Sequence, residues 1–297
     1  EIPKRDWSSD VCSSDLMKAL LKTTLTFAVL IPVLALAQED EASTWTKSVR
    51  GGLNLTQTGF DNWAAGGENA FAWQMNLNYS FVRDLEKTNW SNTGKLLYGA
   101  TKTGDVDMRK SADEIKVESV LTYKLGAKIN PYVAVTGETQ FDGGYDYSTD
   151  SSFQISAFLD PGYFRESLGA GFSISEGLGT RLGLSFKQTV TSDYPAPYAD
   201  DVETNEIETL RSEVGAESVT DFTYNVSENA VYVSKLELFS AFAAFDEIDA
   251  NWDNTLTVKV SEYINMNVNF KMVYDKDISV KRQIKQSMAF GLNYTFI

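Results

Sequence analysis

The sequence predicts an all-β protein: a twelve-stranded antiparallel transmembrane β-barrel with short periplasmic turns and long extracellular loops. Three observations carry that prediction. Apolar and polar residues alternate with period two in segment after segment, the connections alternate between short and long, and aromatic residues gather near the segment ends. Alternation is what a two-faced strand requires, because successive side chains point to opposite sides. Over 71–81 the odd positions are Phe, Trp, Met, Leu, Tyr and Phe, against Ala72, Gln74, Asn76, Asn78 and Ser80. Residues 264–274 and 287–296 behave in the same way. No stretch beyond the leader repeats at the helical period of about 3.6.

Taken in order, the strands are predicted at 47–58, 70–83, 89–103, 113–126, 131–142, 162–175, 179–192, 212–226, 230–243, 250–262, 264–275 and 284–296. Their boundaries carry an error of about 2 to 4 residues. The fifth and eighth alternate least cleanly. Connections 84–88, 127–130, 176–178, 227–229 and 263 are short, while 59–69, 104–112, 143–161, 193–211, 244–249 and 276–283 are longer. An even strand number with short turns at one end is the layout of outer-membrane barrels, which leaves both termini in the periplasm.

Ahead of the barrel, residues 1–16 read as an adapter-like artefact: they precede the first Met and hold the single cysteine, Cys12. Residues 17–37 read as a signal peptide, with Lys18 and Lys22, an apolar core over 25–36 and Ala35-Leu36-Ala37 as the cleavage site. A membrane anchor fits less well, since Pro32 interrupts a run shorter than the ~20 residues a spanning helix needs. No cysteine follows the cleavage site, which excludes a lipoprotein. Residues 38–297 are then the mature chain, exported to the cell outer membrane and free of disulfides.

The chain has no histidine, and its 41 acidic residues outnumber 26 basic ones for a net charge of −15. Without histidine there is no Ser-His or Cys-His nucleophile pair and no His-ligated metal. Lipid-hydrolysing barrels, which need a His beside the Ser, are excluded with them. Nothing marks a Ser-Lys pair, a phosphate-cradling loop or a dinucleotide fingerprint, so neither enzymatic activity nor a cofactor is predicted. The negative charge opposes a sequence-independent grip on nucleic acid.

Tyr79, Phe81, Trp90, Tyr123, Tyr132, Tyr224, Tyr232, Tyr294 and Phe296 fall beside the short turns on the apolar face, and Phe71, Trp73, Tyr98, Trp252 and Tyr274 beside the long loops. Two girdles separated by aliphatics match the two membrane interfaces. Residues 291–296, a Gly followed by two spaced aromatics, are similar to the C-terminal signal read by the barrel-insertion machinery. That machinery and outer-membrane lipids are the expected partners of a monomeric barrel.

Several stretches resemble a Bacteroidota outer-membrane family, domain of unknown function 3078. The most specific is Asn62-Trp63-Ala64-Ala65-Gly66-Gly67-Glu68. Supporting it are Arg109-Lys110-Ser111-Ala112-Asp113, Gln140-Phe141-Asp142-Gly143-Gly144-Tyr145, Ile155-Ser156-Ala157-Phe158-Leu159-Asp160-Pro161, Leu236-Glu237-Leu238-Phe239-Ser240 and Tyr274-Asp275-Lys276-Asp277. The resemblance implies a Gram-negative source and an outer-membrane barrel, and no particular activity.

Within Asn62–Glu68, Gly66 and Gly67 could let the backbone fold over the pore mouth while Trp63 stacks on a ligand; the simpler role is a loop packed on its own side chains. Eight acids over 193–217 face Arg211 alone. They suggest calcium, yet lack a D-x-[DN]-x-[DN]-G loop, so a solvated acidic loop is the expectation. Strand parity sends Arg50, Lys95, Lys116, Lys124, Arg165, Arg181, Lys187, Lys235, Lys259, Lys271 and Lys285 into the lumen, with Glu114, Glu118, Glu138, Asp221, Glu237, Asp253 and Asp275. Basic groups in excess describe a mildly cationic interior that either favours anions or closes by pairing across a small barrel. The expected role is passive binding or permeation of a small hydrophilic solute. The alternative is an accessory barrel with a plugged lumen, whose loops bind lipopolysaccharide, glycan or a protein partner.

Overall fold

A computed structural model describes residues 44–296 apart from 62, 63, 66, 127, 149–151, 197, 202 and 203. The artefact and signal-peptide assignments lie outside the described residues. Twelve strands close into one antiparallel barrel: β1 (Trp45–Thr58), β2 (Ala70–Asp84), β3 (Thr88–Thr103), β4 (Arg109–Tyr123), β5 (Ile129–Thr139), β8 (Gly162–Ser175), β9 (Leu178–Val190), β10 (Leu210–Ser227), β11 (Ala230–Ala241), β12 (Asp249–Lys259), β13 (Ile264–Asp275) and β14 (Ser279–Thr295). Chain neighbours pair around the wall, and β1 meets β14 to close it. Between β5 and β8 the chain leaves the wall to form a hairpin, β6 (Gly144–Asp146) with β7 (Phe153–Ser156). That hairpin and the 3₁₀ turn at Phe242–Ala244 carry no clear period in sequence.

The connections at one end are 85–87, 124–128, 176–177, 228–229 and 260–263; at the other they are 59–69, 104–108, 140–161, 191–209, 242–248 and 276–278. Two loops are therefore shorter than expected, because β4 begins at Arg109 and β14 at Ser279. Their residues 109–112 and 279–283 extend strand pairing beyond the apolar stretch that identified each strand.

The wall sorts its side chains as alternation demands. Leu55, Leu168, Leu184, Val214 and Met288 stand at least half exposed on the outer surface, where a soluble barrel would hide them. Glu166 interrupts this face between Val135 and Phe186. Rings collect at the short-turn end, with Trp45 against Trp90 at 5.3 Å, Tyr79 on Phe81 at 5.1 Å and Tyr294 against Phe296 at 5.1 Å. Trp73 and Tyr98, 5.7 Å apart, belong to the loop-end group. Tyr132, expected on the outer face, is a correction: it is buried inside, and its hydroxyl donates to Glu217 at 3.0 Å. An aromatic ring satisfies the apolar-face pattern in either direction, and β5 has too little alternation to decide.

Candidate functional site

The interior is where the sequence concentrates charge, and the strands bring those charges together at mid-height. A chain of ion pairs runs from Asp253 on β12 to Lys95 on β3 (3.1 Å), then to Glu114 on β4 (3.0 Å), Lys271 on β13 (3.3 Å) and Glu138 on β5 (3.4 Å). It continues through Lys116 on β4 (3.4 Å), Glu237 on β11 (2.9 Å), Lys235 (3.6 Å), Glu118 on β4 (2.5 Å) and Arg181 on β9 (2.5 Å). Signs alternate at every step. Neither β3 and β12 nor β4 and β11 are neighbours in the wall, so Lys95–Asp253 and Lys116–Glu237 reach across the lumen.

A second cluster lies nearer the loops. Lys187 donates to Asp249 (2.6 Å) and Asp275 (3.1 Å), and pairs with Glu213 at 3.4 Å. Its ammonium stands 5.3 Å from the ring of Phe239, which is almost wholly buried. Such an ion in a low-dielectric setting is tolerated only with close partners, and here it has three carboxylates. Arg165 approaches Glu217 at 3.9 Å, the carboxylate that Tyr132 holds.

The loops cover the mouth above. Asp160 is buried, and its carboxylate accepts the amides of Ser192 (3.0 Å), Asp193 (2.7 Å) and Tyr194 (3.2 Å), tying the loop before β8 to the loop after β9. Thr139 donates to the Pro161 carbonyl and accepts from the Leu159 amide. Tyr198 descends from the second of these loops into a chamber of about 310 Å³ that it shares with Tyr163, Lys271 and Glu138. Burial pushes the Tyr198 phenol above its ordinary pKa.

Below the lattice, toward the short turns, lies a larger chamber of about 850 Å³. Lys95 is in its roof, and Arg50, Lys259 and Lys285 line it among the amides of Asn54, Gln74, Asn76, Asn78, Asn265, Asn267, Asn269 and Asn293. Asn269 donates to Asp253 at 2.7 Å, which joins this chamber to the lattice.

Of the residues that parity placed inside, Lys95, Lys116, Glu118, Glu138, Arg181, Lys235, Glu237 and Lys271 stand in the lattice, Lys187 in the second cluster and Lys259 in the chamber. Lys124 is displaced: it lies in the 124–128 turn, bound to Asp84 at 2.6 Å and the Leu85 carbonyl at 2.8 Å. Glu213, Glu217 and Asp249 join the interior charges, which removes most of the expected cationic excess from the lattice level. Reading β10 and the first residue of β12 by parity would have found them.

Asn62, Trp63 and Gly66 of the first loop motif lie outside the described residues. Gly67 has φ 145°, and a Cβ there would stand 2.6 Å from the Phe60 ring. The Phe60 amide donates to Asn69 at 2.6 Å. Glu68 lies against Gly104 of the next loop. The described part of the motif thus packs on Phe60 of its own loop and on Gly104 of the next. In the acidic loop, Glu208 accepts from the Thr204 hydroxyl (2.6 Å) and the Asp201 amide (3.1 Å), which hold its carboxyl below the ordinary range. Among the described residues, no group of three or more acidic side chains is arranged to hold a metal ion.

The fold and interior define a closed, twelve-stranded antiparallel barrel with a charge-crossed lumen. Residues 55–145 match the family described as Protein of unknown function (DUF3078), the same family that the sequence motifs resemble. No curated protein matches the chain. Among solved structures, the translocator domain of autotransporter NalP from Neisseria meningitidis is 10% identical, with 93% of this chain and 97% of that one covered and a TM-score of 0.38. An outer membrane channel from Pseudomonas putida F1 is 11% identical over 87% of this chain and 99% of that one, at a TM-score of 0.39. The outer membrane channel DcaP of Acinetobacter baumannii is 8% identical over 85% and 97%, at 0.34. At these values the likenesses say nothing of ligand or activity.

Proposed function

We infer that the protein is an outer-membrane β-barrel that holds a small hydrophilic solute in its interior and is shut to free diffusion at rest. Its exposed aliphatic wall, with rings near both ends, supports a membrane setting, where such a surface meets lipid instead of water. The short turns then face the periplasm and the loops the exterior. The observation that carries the closed state is the alternating chain of ion pairs from Asp253 to Arg181 across the lumen. Twelve strands enclose a space between the filled interior of eight and the aqueous channel of sixteen, so side chains decide whether it conducts. Here they meet across the middle, where about 600 Å³ of space remains among them, and the larger solute space lies toward the short turns.

Planar-bilayer recording tests this. Wild-type barrel, shown to be folded by heat-modifiable gel mobility, is expected to give no porin-sized unitary steps. Lys116→Ala/Glu237→Ala, which removes one charge of each sign from the centre of the lattice, is expected to produce them. Stable steps from the wild type would overturn the closed reading, and a silent double variant would remove the lattice as the barrier.

One observation favours a second reading, a plugged accessory barrel acting through its loops. Tyr145, Tyr147, Phe153 and Phe158 are exposed around the β6–β7 hairpin, with the Arg109 guanidinium 4.1 Å from the Tyr147 ring. Such a rim suits lipopolysaccharide, glycan or a protein partner. Under that reading, replacing residues 144–156 by a short linker abolishes surface binding without changing conductance.

A further inference from the structure

We propose that the periplasmic chamber is a binding site for a small polyhydroxylated anion, a sugar carrying a carboxylate or a phosphate. The argument starts from a contrast among the interior cations. Lys95, Lys116, Arg165, Arg181, Lys187, Lys235 and Lys271 all have carboxylate partners. Arg50, Lys259 and Lys285 line the chamber and have no carboxylate within ion-pair distance among the described residues. Glu262, at the turn, is the acid that shares the chamber below its roof of Lys95. All three side chains are exposed within this open-ended space, and unpaired positive charge in a cleft with low-dielectric walls draws anions into it.

The remaining lining accounts for the hydroxyl groups. Each primary amide offers both donors and an acceptor, which matches a hydroxyl that both gives and receives a hydrogen bond. Asn54 is only 6% exposed, and its Oδ1 has no hydrogen-bond partner. That oxygen is sealed against Gly291, so the hydrogen bonds to a solute fall to the amides of Gln74, Asn76, Asn78, Asn265 and Asn267. Two glycines make room for these amides. A Cβ on Gly52 would stand 2.6 Å from the side chains of both Asn76 and Asn293, and one on Gly291 would overlap the Asn54 amide. At about 850 Å³ the chamber admits one or two sugar rings.

The proposal rests on the reading that solute is held inside the barrel, but equilibrium binding tests it without any transport step. Conductance through the wild-type lattice would overturn the closed state and leave this titration unchanged. The full mature barrel in detergent is titrated calorimetrically with glucuronate, glucose 6-phosphate and glucose. At least one anion is expected to bind about tenfold or more tighter than glucose, and the tighter of the two identifies the anionic group recognised. Arg50→Gln/Lys259→Gln is expected to weaken that binding by about tenfold or more while keeping heat-modifiable mobility, and Lys102→Gln at the loop end to leave it unchanged. Equal affinity for glucose, no binding of either anion, or an anion affinity untouched by the double variant would each overturn the proposal.

Discussion

Lys116 and Glu237 meet at 2.9 Å in the middle of the barrel, and neither could be there alone. An ion taken out of water is expensive, and a partner in good geometry offsets that cost without adding much net stability. The lattice residues should therefore respond very differently to single and paired replacement. Glu237→Leu leaves Lys116 with Glu138 alone and takes one of two carboxylates from Lys235, so a loss of about 3 kcal/mol is expected from urea unfolding in micelles. Lys116→Met/Glu237→Leu should recover most of that loss, because no uncompensated charge remains between them. If the single and double variants unfold at the same midpoint, the pair is not coupled and the lattice is a set of independent contacts. The same logic explains why pairing was hidden in the sequence. Parity places Lys95, Glu118 or Lys271 on an inward face, but which carboxylate each one meets depends on strands that are far apart in the chain and on opposite walls.

Strands were legible because each carries its own signal: an eleven-residue alternation such as 71–81 needs no information from the rest of the chain. Loops have no such period, and the hairpin β6–β7 and the seal beneath it were correspondingly opaque. The stretches 109–113 and 140–145, which fall within the family match, gain a physical role here. Asp113 accepts the amides of Phe141 and Asp142, Lys110 donates to the Asp142 carbonyl, and Gln140 donates to the Ala157 carbonyl, so these motifs stitch a loop onto its strand. Asp160 does the same between two loops. Asp160→Ala strands three amides without their acceptor, and each charge-assisted bond is worth about 1.5–3 kcal/mol. The expected outcome is local: faster proteolysis and amide exchange over 191–209, with the barrel's heat-modifiable mobility intact. Loss of the folded band would show that the loop seal and the wall form one cooperative unit. Glu208 adds an acid limit to this element. Its Thr204 and Asp201 bonds favour the ionised form, so their contribution is present above the pKa of the free carboxyl and is lost as pH falls through the depressed value.

Closure of the whole barrel depends on one seam. Around most of the wall the ladders are long, as between β1 and β2, whose register runs from Trp45–Arg83 to Thr58–Ala70. Between β1 and β14 it runs only from Arg50–Thr295 to Asn54–Gly291 among the described residues, although β1 continues to Thr58 and β14 begins at Ser279. Residues 55–58 consequently have β2 on one side and no registered partner on the other, and all four are exposed. Local opening starts where few ladder bonds hold a segment, so the barrel should open here first. Amide exchange in micelles is expected to be fastest, within the wall, over 53–58 and 284–292, ahead of the β3–β4 hairpin. A bridge across the seam tests the same point by restraint. Leu53 and Leu292 are in register, so Leu53→Cys/Leu292→Cys, once oxidised, ties the two ends of the barrel together. Because the loop it closes spans nearly the whole wall, the expected stabilisation is up to about 5 kcal/mol, visible as a higher unfolding midpoint that reductant reverses. Uniform protection around the wall, or an oxidised variant that unfolds at the wild-type midpoint, would mean that the seam is not the weak joint. Since Asn54 and Asn293 line the chamber toward the short turns as well as this seam, the bridge also bears on the chamber's walls. A locked seam that leaves anion affinity unchanged would place the solute's route at the open end between the short turns.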